Sequence, residues 1–480
     1  KENQNPENLF LKMETKIPLL ITLLSITIYG QDETKTSFSL NEAVAYGMEN
    51  AYEIDYANRD VELAEQRVRE TTAIGLPQIN GAVDYQNYLK QPVSLLPAAA
   101  FDPYNQIRDL EDYYQVTPVP GNPVPGAPEG FIPINFGTKQ NVSASVVLNQ
   151  LIFDGSYLIG LKGVKVYLEQ GENAKSKTEF IVKQTITNAY TYVLLVEENL
   201  SILEKNKTVL ESNLNQTLKL VENGFSEEQD AEQLQLTLSA IKNEINSTNR
   251  IKASAYKLLN LGLGLDIETP ITLTESLESL LVSNLNLGLT SQDFDITQHI
   301  DYQIANTNKE SSELLMRFEK SKYLPSLNGF VNVGTAANND QFQFFNNDQK
   351  WFASSVLGVN LSVPIFSSFS RDAKTQQAKI DLLRAETQLT ETEQRLKVQL
   401  QDARNDYQFA VESYNISKDN MGLAESIEKK ENIKFFEGVS TSFDLSNAQN
   451  QLYSRQREYL ESILYLINSR VTLENALNIK

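Results

Sequence analysis

The sequence predicts a mostly helical, elongated protomer that carries four β-strands and is built as a tandem repeat. Two proline-free runs of helical character, Phe153 to Asn223 and Phe366 to Phe436, are the first observation behind this. Each makes a rod roughly 100 Å long at about 1.5 Å per residue, several times an ordinary globular helix. Four short stretches in which polar and apolar residues alternate are the second. The third is that the back half of the chain repeats the features of the front half in the same order.

Composition narrows the function classes. The chain has 480 residues, a formal net charge of −20 and no cysteine. A strongly acidic balance argues against nucleic acid as a partner, because phosphate needs a basic footprint. The lack of cysteine in this sequence excludes a disulfide framework, a thiolate metal site and a cysteine nucleophile within it, and no lipid-bearing N-terminal cysteine is expected. The single histidine, His299, sits near a helix start without a second metal-ligating partner, and reads as a surface or capping residue. With no nucleophile elbow and no zinc-binding helix motif, the chain is not expected to be an enzyme or to hold a cofactor. Near the front, Lys16 precedes the apolar stretch 17–28 and then Tyr29-Gly30-Gln31. That is the pattern of a secretory signal peptide within residues 1–30. No other stretch approaches a membrane-spanning helix, so any membrane placement must use strands.

Taken in order, the first repeat is expected over 31–265. Ser39, with Glu42 three positions on, caps a helix that runs to about Ala73 and stops at Leu76-Pro77. Ile79, Gly81, Val83, Tyr85 and Leu89 then alternate with polar residues, opening a β-hairpin over 79–152. Inside it, residues 91–137 hold nine of the fifteen prolines and predict a long loop without helix or central strand. Val142, Ala144, Val146 and Leu148 mark the returning strand. A long helical hairpin follows over 154–262, turning at Asn223-Gly224-Phe225-Ser226 with Gly224 as a left-handed cap. Gly262 and Gly264 end a helix and lack the context of a phosphate loop.

After a connector at 266–292 the pattern restarts, giving a second repeat over 293–480. A helix is expected from Asp293 to about Lys322, then a β-hairpin over 327–365 around a loop rich in Asn and Phe. Its first strand carries Leu327, Gly329, Val331 and Val333 on one face, and its second carries Leu357, Val359, Leu361 and Val363 on one face. Phe366 opens the second rod, whose hairpin spans 367–477 and turns at Glu437-Gly438-Val439-Ser440. Along that rod Ala378, Leu382, Ala385, Leu389, Thr392, Leu396, Leu400, Ala403, Tyr407, Ala410, Tyr414, Ser417, Met421 and Ala424 form a coiled-coil seam of alternating large and small residues.

The halves match feature by feature. Leu76-Pro77-Gln78-Ile79-Asn80-Gly81 pairs with Leu324-Pro325-Ser326-Leu327-Asn328-Gly329, Ile152-Phe153 with Ile365-Phe366, and Gly224 with Gly438. The surplus length of the first half is the proline-rich loop. Four strands alone leave exposed edges, which neither water nor lipid tolerates well. A closed barrel therefore requires several chains: two give eight strands and a filled interior, three give twelve and the start of a lumen. Tyr85, Tyr88, Phe342, Phe344, Phe345, Trp351 and Phe352, near the strand ends, suit an interfacial girdle.

Signal peptide, tandem repeat, paired hairpins, long rods and glycine-marked turns together resemble the TolC family of bacterial outer-membrane efflux proteins. The resemblance rests on the two Leu-Pro corners, on Leu151-Ile152-Phe153-Asp154-Gly155, on Val363-Pro364-Ile365-Phe366, and on the two hairpin turns. It covers nearly all of the chain after Gln31. It implies a long α-helical coiled-coil barrel crossing the periplasm, joined to a 12-stranded β-barrel in outer-membrane lipid, in a homotrimer. It also implies passive conduction for a tripartite efflux or type I secretion system, with an inner-membrane pump and a periplasmic adaptor as partners. The adaptor is expected at the hairpin tips, Asn223, Gly224, Phe225 and Ser226 with Glu437, Gly438, Val439 and Ser440.

In members of that family carboxylates just beyond the second turn ring the closed aperture. The resemblance carries this role to Asp444, with Asn447 one turn on and Asp230 at the matching place of the first repeat. Helix capping is the competing role for Asp444. The family's tyrosine and arginine lock falls on Phe435 and Ser440, so any lock here is built differently. Leu151 replaces the usual proline at the first strand-to-helix corner, and Glu227-Glu228 put charge where some members carry small apolar docking residues. The alternative reading, a periplasmic or surface coiled-coil protein without transport, accounts for the rods but not for four matched amphipathic strands.

Overall fold

Two rods set the length of the molecule. The computed structural model describes residues 36–115, 123–284 and 287–479; the expected signal peptide lies outside them. In chain order the elements begin with β1 (Ser37–Phe38), α1 (Leu40–Asn50), α2 (Tyr52–Ile74), β2 (Gln78–Asn87), β3 (Val93–Pro97), α3 (Asn105–Tyr114), β4 (Phe131–Asn135) and β5 (Gln140–Asp154). Next come α4 (Gly155–Glu222), α5 (Glu228–Leu263), β6 (Thr272–Leu273) and α6 (Leu277–Asn284). The chain closes with α7 (Ile300–Ser321), β7 (Ser326–Asn339), β8 (Phe352–Ser362), α8 (Ser370–Phe436) and α9 (Ser442–Ala476). The rods α4 and α8 have 68 and 67 residues.

Each rod is flanked by shorter helices placed end to end. Helix α4 packs against α2 along one part and α5 along the other; α8 packs in the same way against α7 and then α9. Among the seam residues of α8, Leu396, Leu400, Ala403, Tyr407, Ala410 and Tyr414 are buried, and none of the fourteen is exposed. Large and small residues therefore alternate at the contact, which lets neighbouring helices approach closely.

Two cores hold this arrangement. The larger lies at the waist, where Ile186, Tyr190 and Val193 of α4 meet Leu259 and Leu263 of α5, Tyr407 of α8 and Ile463, Leu466 and Ile467 of α9. The parallel pair β1–β6 straps this region, and the Tyr190 hydroxyl donates to the Phe38 carbonyl at 2.9 Å. The smaller core lies near the turns and joins Leu203, Leu210, Leu234, Leu238, Ile241 and Ile245 of the first hairpin to Phe435 and Leu445 of the second.

Strands β2, β5, β7 and β8 form one antiparallel sheet in the order β2-β5-β7-β8. A bulge at the end of β5, between Leu151 and Phe153, re-aims the strand just before it enters α4. There Asp154 caps the rod, its carboxylate accepting from the backbone N–H of Ser156 at 2.7 Å and of Tyr157 at 3.1 Å.

Several expectations need correction. The first helix is two, because Ala51 is extended (φ −63°, ψ 141°) between α1 and α2. The cause is tertiary: Gly264 at the end of α5 sits so close that a Cβ there would lie 2.0 Å from the Asn50 carbonyl oxygen. The proline-rich segment is not free of helix or strand. It holds α3 within a proline-free stretch, and β3 pairs with β4 in a separate two-stranded ladder whose edges tolerate Pro97 and Pro133. Phe366 does not open the second rod. Ser368 and Phe369 take left-handed conformations (φ 49° and 63°) and the helix starts at Ser370. Arg371 fixes that corner by donating to the Pro364 carbonyl at 3.2 Å. The helix expected from Asp293 starts instead at Ile300, with His299 as its N-cap. His299 is a capping residue as expected, but it is buried (5% exposed) rather than on the surface.

Candidate channel wall and hairpin tips

The register of the sheet sorts most of its side chains by face, with Val147, Phe330 and Val356 as apolar exceptions on the polar side. Directly paired residues share a face, so Ile79, Leu148, Val331 and Leu357 stand in one row, and Gly81, Val146, Val333 and Ser355 in the next. That face is apolar and open to the surroundings: Val83 is 76% and Leu357 79% exposed. The opposite face carries Gln78, Asn80 and Asp84 on β2, Asn141, Ser143 and Ser145 on β5, Asn328 and Asn332 on β7, and Ser354 and Asn360 on β8. Among the described residues both edges, β2 and β8, lack a further strand partner within the protomer. β2 has 10 residues and β8 has 11. At about 3.3 Å per residue and a tilt near 40°, such strands reach roughly 25 Å along a membrane normal, the height of a barrel's apolar band.

Of the aromatic residues expected at the rim, Phe344 is an anchor rather than an open girdle residue. It is 4% exposed and packs edge-on against Tyr85 and Phe342, at 6.2 and 5.6 Å between ring centres. Phe352 pairs with Ala336 and so belongs to the polar face. Tyr88, Phe345 and Trp351 are exposed.

At the far end of the rods the two turns are copies of each other. Gly224 and Gly438 adopt φ +74° and +76°. In each, the next residue's N–H reaches back to the helix, Phe225 to the Leu220 carbonyl at 2.8 Å and Val439 to the Lys434 carbonyl at 2.9 Å. This geometry ends a helix with a left-handed residue, which favours glycine. Asn223 caps α4 through a bond from its Nδ2 to the Lys219 carbonyl. Both turns present apolar tips: Phe225 is 82% and Val439 74% exposed. Phe443, 69% exposed on the first turn of α9, extends that surface and was not singled out by the sequence pattern.

Asp230 and Asp444 occupy the same place in their repeats, the third position of the return helix. Each closes a capping box: Asp230 with Glu227, and Asp444 with Thr441, whose hydroxyl donates to the Asp444 carboxylate at 2.7 Å. The hydrogen bonds from Thr441 hold the exposed Asp444 carboxyl below its ordinary range. For Asp230, partial burial pushes upward, but the hydroxyls of Ser226 and Ser442 and the Glu227 backbone bind the charged form and prevail. Ser442 belongs to the second hairpin, so the two tips lie beside each other at Asp230. Asn447 is exposed on α9. Glu437 supplies the C-cap position of α8.

Where the family lock would stand, the protomer uses other contacts. Phe435 is buried in the tip core, and Ser440 donates to Glu431, which Lys434 also pairs at 3.1 Å. Two amide bonds join α4 to the second hairpin, Asn206 to Gln456 at 2.8 Å and Asn213 to Asn432 at 3.0 Å. These pairs lie more than 200 positions apart in the chain, and no local pattern announces them. Beside them burial pushes the Glu428 carboxyl up and also raises the Tyr453 phenol. Among the described residues no group of His, Cys, Asp and Glu is placed to hold a metal ion, and no helix is long and apolar enough to cross a membrane.

This combination of a two-faced strand sheet, long paired rods and duplicated tips coincides with a known group. Residues 303–478 match the family model described as outer membrane efflux protein. The matched segment lies in the second repeat, and that part of the chain resembles outer membrane efflux proteins. Outer membrane protein TolC of Vibrio cholerae is 22% identical over 354 residues, covering 69% of this chain and 77% of that relative. Three solved channels share the fold at low identity. VceC from Vibrio cholerae has a TM-score of 0.66 at 14% identity, over 91% of this chain and 95% of its own. The CmeC outer membrane channel of Campylobacter jejuni gives 0.67 at 15%, over 91% and 85%. The open state of the MtrE outer membrane channel of Neisseria gonorrhoeae gives 0.66 at 13%, over 91% and 88%. These relatives and solved structures are named as outer membrane proteins and channels.

Proposed function

We propose that three copies of this outer-membrane exit duct join into a twelve-stranded barrel, continued by a helical tunnel that passively conducts substrates delivered by a pump and a periplasmic adaptor. The observation that supports this is the four-stranded sheet, with one apolar face, one largely polar face and, among the described residues, both edges unpaired. An isolated sheet of this kind has no stable place in lipid, whereas pairing β2 of one copy with β8 of the next removes every edge. Four strands per chain and three chains give an interior wide enough for a lumen. Conduction needs no bound energy source in the duct itself, in keeping with a wall lined by Asn, Ser and Gln.

The apolar tips at Phe225, Val439 and Phe443 suit a docking adaptor, and tip opening is a shift between two packed arrangements of the hairpins. Asp444, Asn447 and Asp230 line the aperture in this reading while also capping helices. A cysteine at Asp84, combined in turn with single cysteines along β8, tests the barrel seam. One register is expected to yield a covalent trimer on oxidation, and failure of every register would remove the barrel as drawn. In planar bilayers the net negative charge of the chain is expected to favour cations at low salt, and Asp444→Ala to enlarge the openings or relieve cation block. Equal cation and anion permeability would argue against a charged lining.

A further inference from the structure

The loop between β7 and β8 has a composition that conduction does not require. From Asn338 to Phe352 almost every residue is an amide, an acid or an aromatic. The fold separates these chemistries. Phe342 and Phe344 turn back onto Tyr85, which shares the apolar face of the sheet. Asn338 and Phe352 lie on the polar face, as the Ala336–Phe352 pairing requires. Between them is a recess of about 360 Å³ whose lining includes Asn338, Gln343, Asn346, Asp348, Lys350 and Phe352. That volume falls within the roughly 300–1,000 Å³ span of small-molecule clefts.

The recess is built rather than incidental. Buried Phe344 pins one side of the loop. The Asn339 Nδ2 donates to Gln349 Oε1 across its base at 2.9 Å, and the Asp340 carboxylate accepts from the Lys139 backbone at 3.0 Å. Those contacts occupy the supporting groups and leave the side chains of Asn338, Asn346 and Asp348 facing the opening. Planar amides and carboxylates offer paired donors and acceptors at the spacing of neighbouring hydroxyls. An exposed aromatic ring, here Phe352 at 61% exposure, offers a flat apolar surface for the C–H face of a ring. A phosphate ligand would want clustered cations, and the recess has Lys350 alone beside Asp348.

We propose that this recess binds the sugar units of a glycan at the outer mouth of the lumen. The location rests on the exit-duct reading; the binding chemistry does not. A free oligosaccharide and the carbohydrate of a surface lipid present the same hydroxyls, so the source is left to experiment. Trp351, 42% exposed beside the recess, is the only tryptophan in the chain, so emission excited selectively at tryptophan, beyond the tyrosine absorption, reports on this loop alone.

The detergent-purified full chain would be titrated with maltohexaose, chitohexaose, lipopolysaccharide and phosphatidylglycerol vesicles. A saturable change in Trp351 emission with one of the two oligosaccharides identifies a free glycan. A change with lipopolysaccharide alone identifies a lipid-linked one. In both cases Asn338→Ala with Asp348→Ala should raise the half-saturating concentration at least tenfold and leave the unliganded spectrum unchanged. No response to any sugar-bearing probe, an equal response to phosphatidylglycerol, or an undiminished response in the double variant overturns the proposal. Labelling of Asn347→Cys by an impermeant maleimide on intact cells tests the location separately, since the chain has no other thiol.

Discussion

Phe435→Ala probes most directly how the tips are held. Phe435 is 7% exposed and packs in the small core with Leu210, Leu234 and Leu445, where it joins the second hairpin to the first. Truncating a buried Phe to Ala costs about 3–5 kcal/mol, set by how far the site collapses. The tip is the slender end of a long coil and relaxes readily, so the low end, about 3 kcal/mol per copy, is the working figure. A loss of that size raises the population of the locally opened tip by roughly a hundredfold, at about 1.4 kcal/mol for each factor of ten. Hydrogen exchange should show the change in the amides around Leu234–Ile245 and at the end of α8, with the waist core unaffected. Single-channel openings should become larger or more frequent. The amide pairs Asn206–Gln456 and Asn213–Asn432 survive the substitution, so a tip that exchanges as slowly as the parent would mean that polar bonds hold it. That result would refute the apolar-core account.

Other perturbations have equally definite outcomes. Gly264→Ala combines a left-handed backbone (φ +75°) with a Cβ 2.0 Å from the Asn50 carbonyl oxygen, and should destabilise the waist by at least about 2 kcal/mol, read as a fall in melting temperature. Gly422→Ala, in mid-helix with nothing within 4 Å, should instead stabilise α8 by up to about 1 kcal/mol. Gly358→Ala would place a Cβ 2.4 Å from the Phe330 ring and should weaken the assembled sheet to heat, with Phe330→Ala restoring much of the loss. Asp230→Asn should loosen the first tip by about 1 kcal/mol at neutral pH, measured by urea titration with a fluorophore on Phe225→Cys. Because the folded pKa of Asp230 lies below 3.8, its contribution is complete above that value and drains away as pH falls through the folded pKa. Parent and variant should therefore converge only in strong acid. Glu428 has the opposite sign: burial disfavours its charged form, so Glu428→Gln should stabilise the hairpin contact at neutral pH and lose that advantage as Glu428 itself protonates in acid.

Sequence alone determined the plan of the molecule. Rod length follows from uninterrupted helical periodicity, strand faces follow from alternation, and the duplicated turns follow from Gly224 and Gly438, where few other residues fit. All of these are local rules, satisfied within a few neighbouring residues. The capping boxes were half legible: Ser39 with Glu42 stood out, and Asp444 was recognised as a capping candidate alongside its proposed gate role. The break at Ala51 was invisible, because its cause is Gly264 arriving from more than 200 positions away. Helix α3 was hidden by judging the proline-rich segment as a whole, when the stretch between Pro103 and Pro118 contains none. Only the tertiary structure decided that Phe435 is core, that Ser442 reaches Asp230, that Asn213 meets Asn432, and that Phe344 anchors one side of a loop while Asn338 opens on the other. Each of these depends on how rigid rods and strands dock across the repeat, and docking is fixed by packing between distant segments rather than by the periodicity of any one of them.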